Sequence, residues 1–106
     1  MRNATAILIL AATFASQHVL AVDAFPKADP SAGKRAFDEA RCQACHDKIM
    51  AADGNRLFTR TDRKITNAPA LLKMVRFCIE RTGASVFPED AEHIAAYLNQ
   101  QFYKFK

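Results

Sequence analysis

Tryptophan is absent from this 106-residue chain, and glycine and cysteine occur only three times each. No apolar run is long enough to cross a bilayer, since the longest, Ala6 to Ala15, falls well short of the roughly 20 residues a spanning helix needs. No face rich in lysine and arginine is interleaved with aromatics and no nucleic-acid motif is present, so nucleic acid is a poor candidate partner. There is no internal repeat or low-complexity tract. A chain this short would struggle to bury enough apolar area alone, although hydrophobic residues make up 50% of the sequence.

The first 21 residues read as a secretory signal. Arg2 supplies the charged start, the apolar run follows, and Val19-Leu20-Ala21 is a small-residue cleavage site, with Ala24 as the near alternative. Residues 22–106 then form one domain, with no membrane span once the signal is removed. Loss of Arg2 leaves a formal charge of +3, a weak basic bias. Export in a bacterium delivers the chain to the periplasm.

Cys42-Gln43-Ala44-Cys45-His46 is the most specific feature. Two thiols three residues apart can each add to one vinyl group of haem, and the histidine after the second brings an imidazole nitrogen to the iron. Cys-x-x-Cys alone leaves zinc binding or dithiol redox chemistry open. The adjoining histidine, the lack of a second metal-ligand cluster and the export signal favour one covalent haem c. Its two propionates would bring the mature charge to about +1. A chain this short also gains core from a covalently held porphyrin.

The hydrophobic pattern predicts an all-α domain with three main helices. Phe25 to Pro30 is read as an extended lead-in. The first helix is expected from a Ser31 N-cap to Ala40, with Gly33, Phe37 and Ala40 on one face and Gly33 admitting a close helix crossing. Residues 47–68 read as loop with at most a short helical piece. Within it, Arg56, Arg60, Arg63 and Lys64 are either solvated surface or a docking rim or propionate clamp. The second helix is expected from Pro69 or Ala70 to Arg81, with Gly83 just past its end. Leu71, Val75 and Cys78 centre its apolar face, and Leu72, Met74 and Ile79 flank it. Glu89 or Asp90 starts the third helix, with Ala91, Ile94, Ala95 and Leu98 inward and His93 facing solvent. The aromatic tail Phe102-Tyr103-Lys104-Phe105-Lys106 is expected to pack on the body.

Cys78 is the odd cysteine once Cys42 and Cys45 are consumed by haem. It is a buried inert thiol, an intermolecular bridge or an axial ligand, and its place at the centre of the apolar face favours the ligand. Met74, at the border of that face, is the alternative ligand or a core filler. Met50 follows His46 too closely to reach the opposite side of the same haem.

Gly33-x-x-x-Phe37 before the haem motif resembles the amino-terminal helix of class I c-type cytochromes, and Ala95-Ala96-Tyr97-Leu98 resembles their carboxy-terminal helix. The resemblance implies the small class I cytochrome c fold around one haem. Pro69-Ala70-Leu71 is similar to the family's Pro-x-Leu segment, where a backbone carbonyl receives the other N–H of the proximal imidazole, here His46. Class I carriers usually supply a methionine from the loop before the last helix, and Gly83 to Asp90 contains none.

From Phe77 to Leu98 the chain also resembles the sphaeroides haem protein and cytochrome c-double-prime group. In that group a distal His or Asn precedes a cysteine, which pairs with a second cysteine before the last helix. Here those positions are Phe77, Cys78 and Val86, so the group's ligand and disulfide are both missing and a thiol is retained. A free thiol there resembles the His/Cys-ligated NaxL and NaxS cytochromes of anammox bacteria, which form a heterodimer and bind nitric oxide and carbon monoxide.

The resemblance implies a periplasmic monohaem cytochrome with His46 and Cys78 as axial ligands. Its expected role is low-potential electron transfer with a redox partner protein, redox-gated binding of NO or CO, or both, with a second cytochrome subunit as a candidate partner. A His46/Met74 electron carrier is the alternative. An enzyme is not expected, because no His/Arg acid–base pair lies at helical spacing on the distal helix and Leu71, Val75 and Phe77 suggest an apolar pocket.

Overall fold

The computed structural model describes Ile9, Ala11, Ala12 and residues 23–50 and 53–106. The expected signal segment lies almost wholly outside the described residues. No described helix is long and apolar enough to cross a membrane. The described residues are all-α, without a strand, and form five α-helices and a closing π-helical turn. These are α1 (Pro30–Glu39), α2 (Cys42–Ile49), α3 (Arg56–Thr59), α4 (Ala68–Thr82), α5 (Asp90–Leu98) and the turn Asn99–Tyr103.

The lead-in is a turn rather than an extended strand. Phe25 N–H donates to Asp23 Oδ1 (2.9 Å), Ala28 N–H donates to the Phe25 carbonyl (3.1 Å), and Phe25 is buried in the core. Helix α1 begins two residues earlier than Ser31 capping would allow. Asp29 is the N-cap, in extended conformation, and its Oδ1 accepts from Ser31 N–H (2.9 Å). Pro30 dictates this, because its fixed φ suits the first helical position and its missing N–H needs no partner there.

α1 and α5 cross at their small residues. A β-carbon on Gly33 would overlap the backbone at His93 and Ile94, so only glycine permits this separation. Ala36 and Phe37 from α1 and Ala91, Ile94, Ala95 and Leu98 from α5 are buried around the crossing. His93 does not face solvent alone: its Nδ1 accepts the Asp29 N–H (2.9 Å), tying the entry of α1 to α5.

α4 starts at Asn67, whose Oδ1 accepts Ala70 N–H (2.9 Å), and ends at Gly83, which is left-handed at φ +65°. Ala84 N–H donates back to the Ile79 carbonyl (3.2 Å), so the orphan carbonyls of the last turn are partnered. Leu71 and Val75 are buried along its inner face.

The tail packs on the body. Asn99 holds Phe105 by two hydrogen bonds, Nδ2 to the Phe105 carbonyl (3.0 Å) and Phe105 N–H to Oδ1 (2.7 Å). Phe102 stacks on Phe58 with ring centroids 4.9 Å apart. Arg63 lies 4.6 Å over the Tyr103 ring and donates to the Phe58 carbonyl (2.6 Å).

Candidate functional site

The haem-type motif is itself helical. α1 stops at Glu39, Arg41 turns left-handed (φ 57°, ψ 36°), and α2 begins at Cys42 and runs to Ile49, into what reads in sequence as loop. A non-glycine residue in this conformation costs about 1–2 kcal/mol, which the flanking helices must offset. In return the corner redirects the chain, so that Cys42, Cys45, His46 and Ile49 all line one cleft.

α4 forms the facing wall with Leu71, Met74, Val75, Cys78 and Ile79, while Phe37, Ile94, Leu98 and Tyr103 from the crossing and the tail complete the lining. Including its open mouth the cleft holds about 940 Å³, and its lining is overwhelmingly apolar. Phe77 is not part of it. That ring is 57% exposed on the outer side of α4, because the helical period that brings Cys78 to the cleft turns its neighbour away.

Cys42, Cys45, His46 and Cys78 therefore share one site, and Met74 joins them there. All three thiols are free; Cys45 and Cys78 are solvent-exposed and Cys42 is half-buried. Burial pushes the Cys42 thiol above the usual cysteine range, with a smaller push from Cys78, and burial followed by the Cys45 charge does the same to Cys78. Among the described residues no three His, Cys, Asp or Glu side chains converge tightly enough to hold a metal ion by themselves.

His46 is wedged between rings, its centroid 5.9 Å from Phe37 and 5.2 Å from Phe58. Burial lowers its pKa, partly opposed by Asp47, so the neutral imidazole that a metal takes is favoured. Its Nδ1 is sealed and has no hydrogen-bond partner, whereas Nε2 is not among the sealed unpaired atoms. The expected acceptor from the Pro69 segment is not engaged. Pro69 lies exposed in the first turn of α4, where helix formation has drawn the segment into its own hydrogen-bond ladder.

A second support of the histidine is not evident in the sequence. Asp47 Oδ1 accepts from Gly54 N–H (2.7 Å) and from Gln43 Nε2 (2.9 Å), pinning the following loop onto α2. A β-carbon on Gly54 would press on His46 Cβ and the Asp47 nitrogen, so glycine is required for that approach.

None of Arg56, Arg60, Arg63 and Lys64 lines the cleft. Arg60 pairs with Asp62 (2.8 Å) on the surface, and Arg63 donates to the Phe58 carbonyl while lying over the ring of Tyr103, a residue of the cleft lining. Arg41, Ile65 and Tyr103 line it instead. Tyr103 is reachable from sequence only as an aromatic tail residue; the π-helical turn that carries it back to the cleft has no sequence signal of its own. Compared with family models, with curated proteins and with solved structures, the chain finds no match.

Proposed function

We propose that this chain is an exported, periplasmic monohaem c-type cytochrome with one haem c in the cleft between α2 and α4. Cys42 and Cys45 are its thioether anchors, His46 the proximal ligand and Cys78 the ligand on the opposite side. The observation that carries the reading is the meeting of these four side chains in one apolar cleft although they come from two separate helices, with Cys78 lying 32 residues beyond His46 in sequence. Among the described residues these donors form no cluster that would hold a metal ion by itself, which suits a flat group between two walls better than a tetrahedral zinc ion.

Bound there, haem supplies a one-electron ferric/ferrous couple and, where a ligand position opens, affinity for nitric oxide or carbon monoxide. The residues set how that couple behaves. His46, held by Phe37 and Phe58, presents a neutral imidazole from a fixed direction. Cys78, as a thiolate, places negative charge beside the metal and favours the oxidised state, giving a low potential. Cys78 Sγ stands at the exposed edge of the cleft, where it would be open to a proton once the iron were reduced. The apolar lining favours neutral diatomics over charged substrates. Low-potential electron transfer with a redox partner protein and redox-gated binding of NO or CO both follow, and no catalytic acid–base pair is assigned.

Met74 supports a second reading, because it lines the same wall one turn before Cys78. A His46/Met74 centre would be an ordinary electron carrier. Low-temperature EPR of the ferric holoprotein, with optical spectra before and after dithionite and CO, separates the two. Thiolate ligation gives a narrow low-spin g spread, a red-shifted ferric Soret band and CO binding on reduction. A weak far-red sulfur-to-iron band with a CO-inert ferrous form would instead assign Met74.

A further inference from the structure

The cleft brings a third thiol to the two that the haem motif contributes, and this has a consequence for the chain before any haem is attached. Cys42, Cys45 and Cys78 are all free and all line the same cleft. Cys45 and Cys78 are both solvent-exposed, one on each wall, whereas Cys42 is half-buried. Exchange with an external disulfide requires access, and Cys42, half-buried, is the least accessible of the three.

We propose that Cys78 forms a disulfide with Cys45 in the haem-free exported chain, making Cys78 a redox gate on haem attachment. The disulfide concerns the thiols alone, and its role as a gate rests on the cytochrome reading. The oxidant is a low-molecular-weight disulfide such as glutathione disulfide, in an oxidising compartment. The Cys45 thiolate attacks one of its sulfurs, forming a mixed disulfide and releasing one glutathione thiolate. The Cys78 thiolate then attacks the Cys45 sulfur and releases the second. One disulfide is reduced to two thiols while Cys45 and Cys78 are oxidised to one disulfide, and the two protons lost from the cysteines are taken up by the two glutathione thiolates. With Cys45 so occupied, only Cys42 remains to add to a vinyl group, and attachment waits for a reductant.

The test uses the full haem-free chain, oxidised with glutathione disulfide, alkylated, and digested with trypsin without reduction. Cleavage after Arg41, Lys48, Arg76 and Arg81 isolates Cys42–Lys48, which carries both motif thiols, from Phe77–Arg81, which carries Cys78. The expected product is these two peptides joined, with fragmentation locating the bond at Cys45 and alkylation at Cys42. The joined peptide should be several-fold more abundant from folded chain than from chain oxidised in concentrated guanidinium. Cys42→Ser, which removes the competing Cys42–Cys45 bond, should retain it, and Cys78→Ser should abolish it. An internal Cys42–Cys45 bond with alkylated Cys78, a link through Cys42, or equal yield in denaturant would each overturn the proposal. None of these readouts uses haem, so a chain that never binds haem would still give the Cys45–Cys78 bond, and the two proposals fail separately.

Discussion

The α-carbon of Gly33 in α1 lies directly against the main-chain carbonyl of His93 in α5, so that a single added methyl group would overlap it. Neither neighbour can yield, because both are helix backbone. Gly33→Ala should force the helices apart and destabilise the fold by about 3 kcal/mol, the upper part of the range for overpacking. Denaturant unfolding of the haem-free and haem-loaded chains checks this, with a lower midpoint expected in both.

A second contact between the same helices is polar. Asp29 donates its N–H to His93 Nδ1 while its carboxylate caps α1 through Ser31. His93→Ala should cost about 1 kcal/mol for the lost acceptor, and Asp29→Ala about 1 kcal/mol for the lost cap. Because both losses free the same end of α1, the double variant should lose less than the two added together. A double-mutant cycle measures that difference.

Phe58 is the residue on which the site rests. Its ring touches those of Phe37, His46, Phe102 and Tyr103, joining His46 to the tail. Phe58→Ala should cost about 3–5 kcal/mol and leave His46 free to rotate. The accompanying readout is a broadened, heterogeneous ferric EPR signal in whatever holoprotein forms, where the parent gives one species.

Tyr103 makes alkaline stability a test of the tail. Burial raises its pKa above 10, more than the nearby Arg63 lowers it. The folded state therefore keeps the phenol proton at a pH where the unfolded chain has lost it. Stability is unaffected below about pH 10, declines as pH rises through that value, and levels off above the folded pKa. Tyr103→Phe should remove this decline, as seen in unfolding midpoints measured across the alkaline range.

Much of this arrangement was legible because it rests on local signals. The Gly83 stop of α4, the inward face Ala91, Ile94, Ala95 and Leu98, and the close approach at Gly33 follow from period and residue type. So does the presence of Cys78 on the cleft wall opposite the motif. What escaped depends on contacts distant in sequence or on rare backbone geometry. The left-handed Arg41 makes the motif a separate helix, and arginine gives no hint of it. His93 reads as a surface histidine until Asp29, 64 residues earlier, is seen donating to it. Phe77 looked like pocket lining on the apolar pattern, yet it falls beyond the edge of the helix stripe. Pro69-Ala70-Leu71 resembles a known segment in sequence, but Asn67 caps it into helix, and His46 Nδ1 has no hydrogen-bond partner.

Cys78→Ser separates the ligand reading from an inert thiol. The variant should keep its haem covalently attached through Cys42 and Cys45 while a low-spin ferric spectrum becomes high-spin. An unchanged spectrum would take Cys78 out of the coordination sphere and leave Met74 as the candidate on that wall.

The most direct test of the whole account is the mass of the chain after export in a host with c-type haem maturation machinery. The account predicts a mature chain, cleaved near Ala21, that carries the mass of one haem in denaturant and keeps it on the Cys42–Lys48 peptide. A mature chain of unmodified mass, with Cys42 and Cys45 both open to alkylation under those conditions, would contradict it.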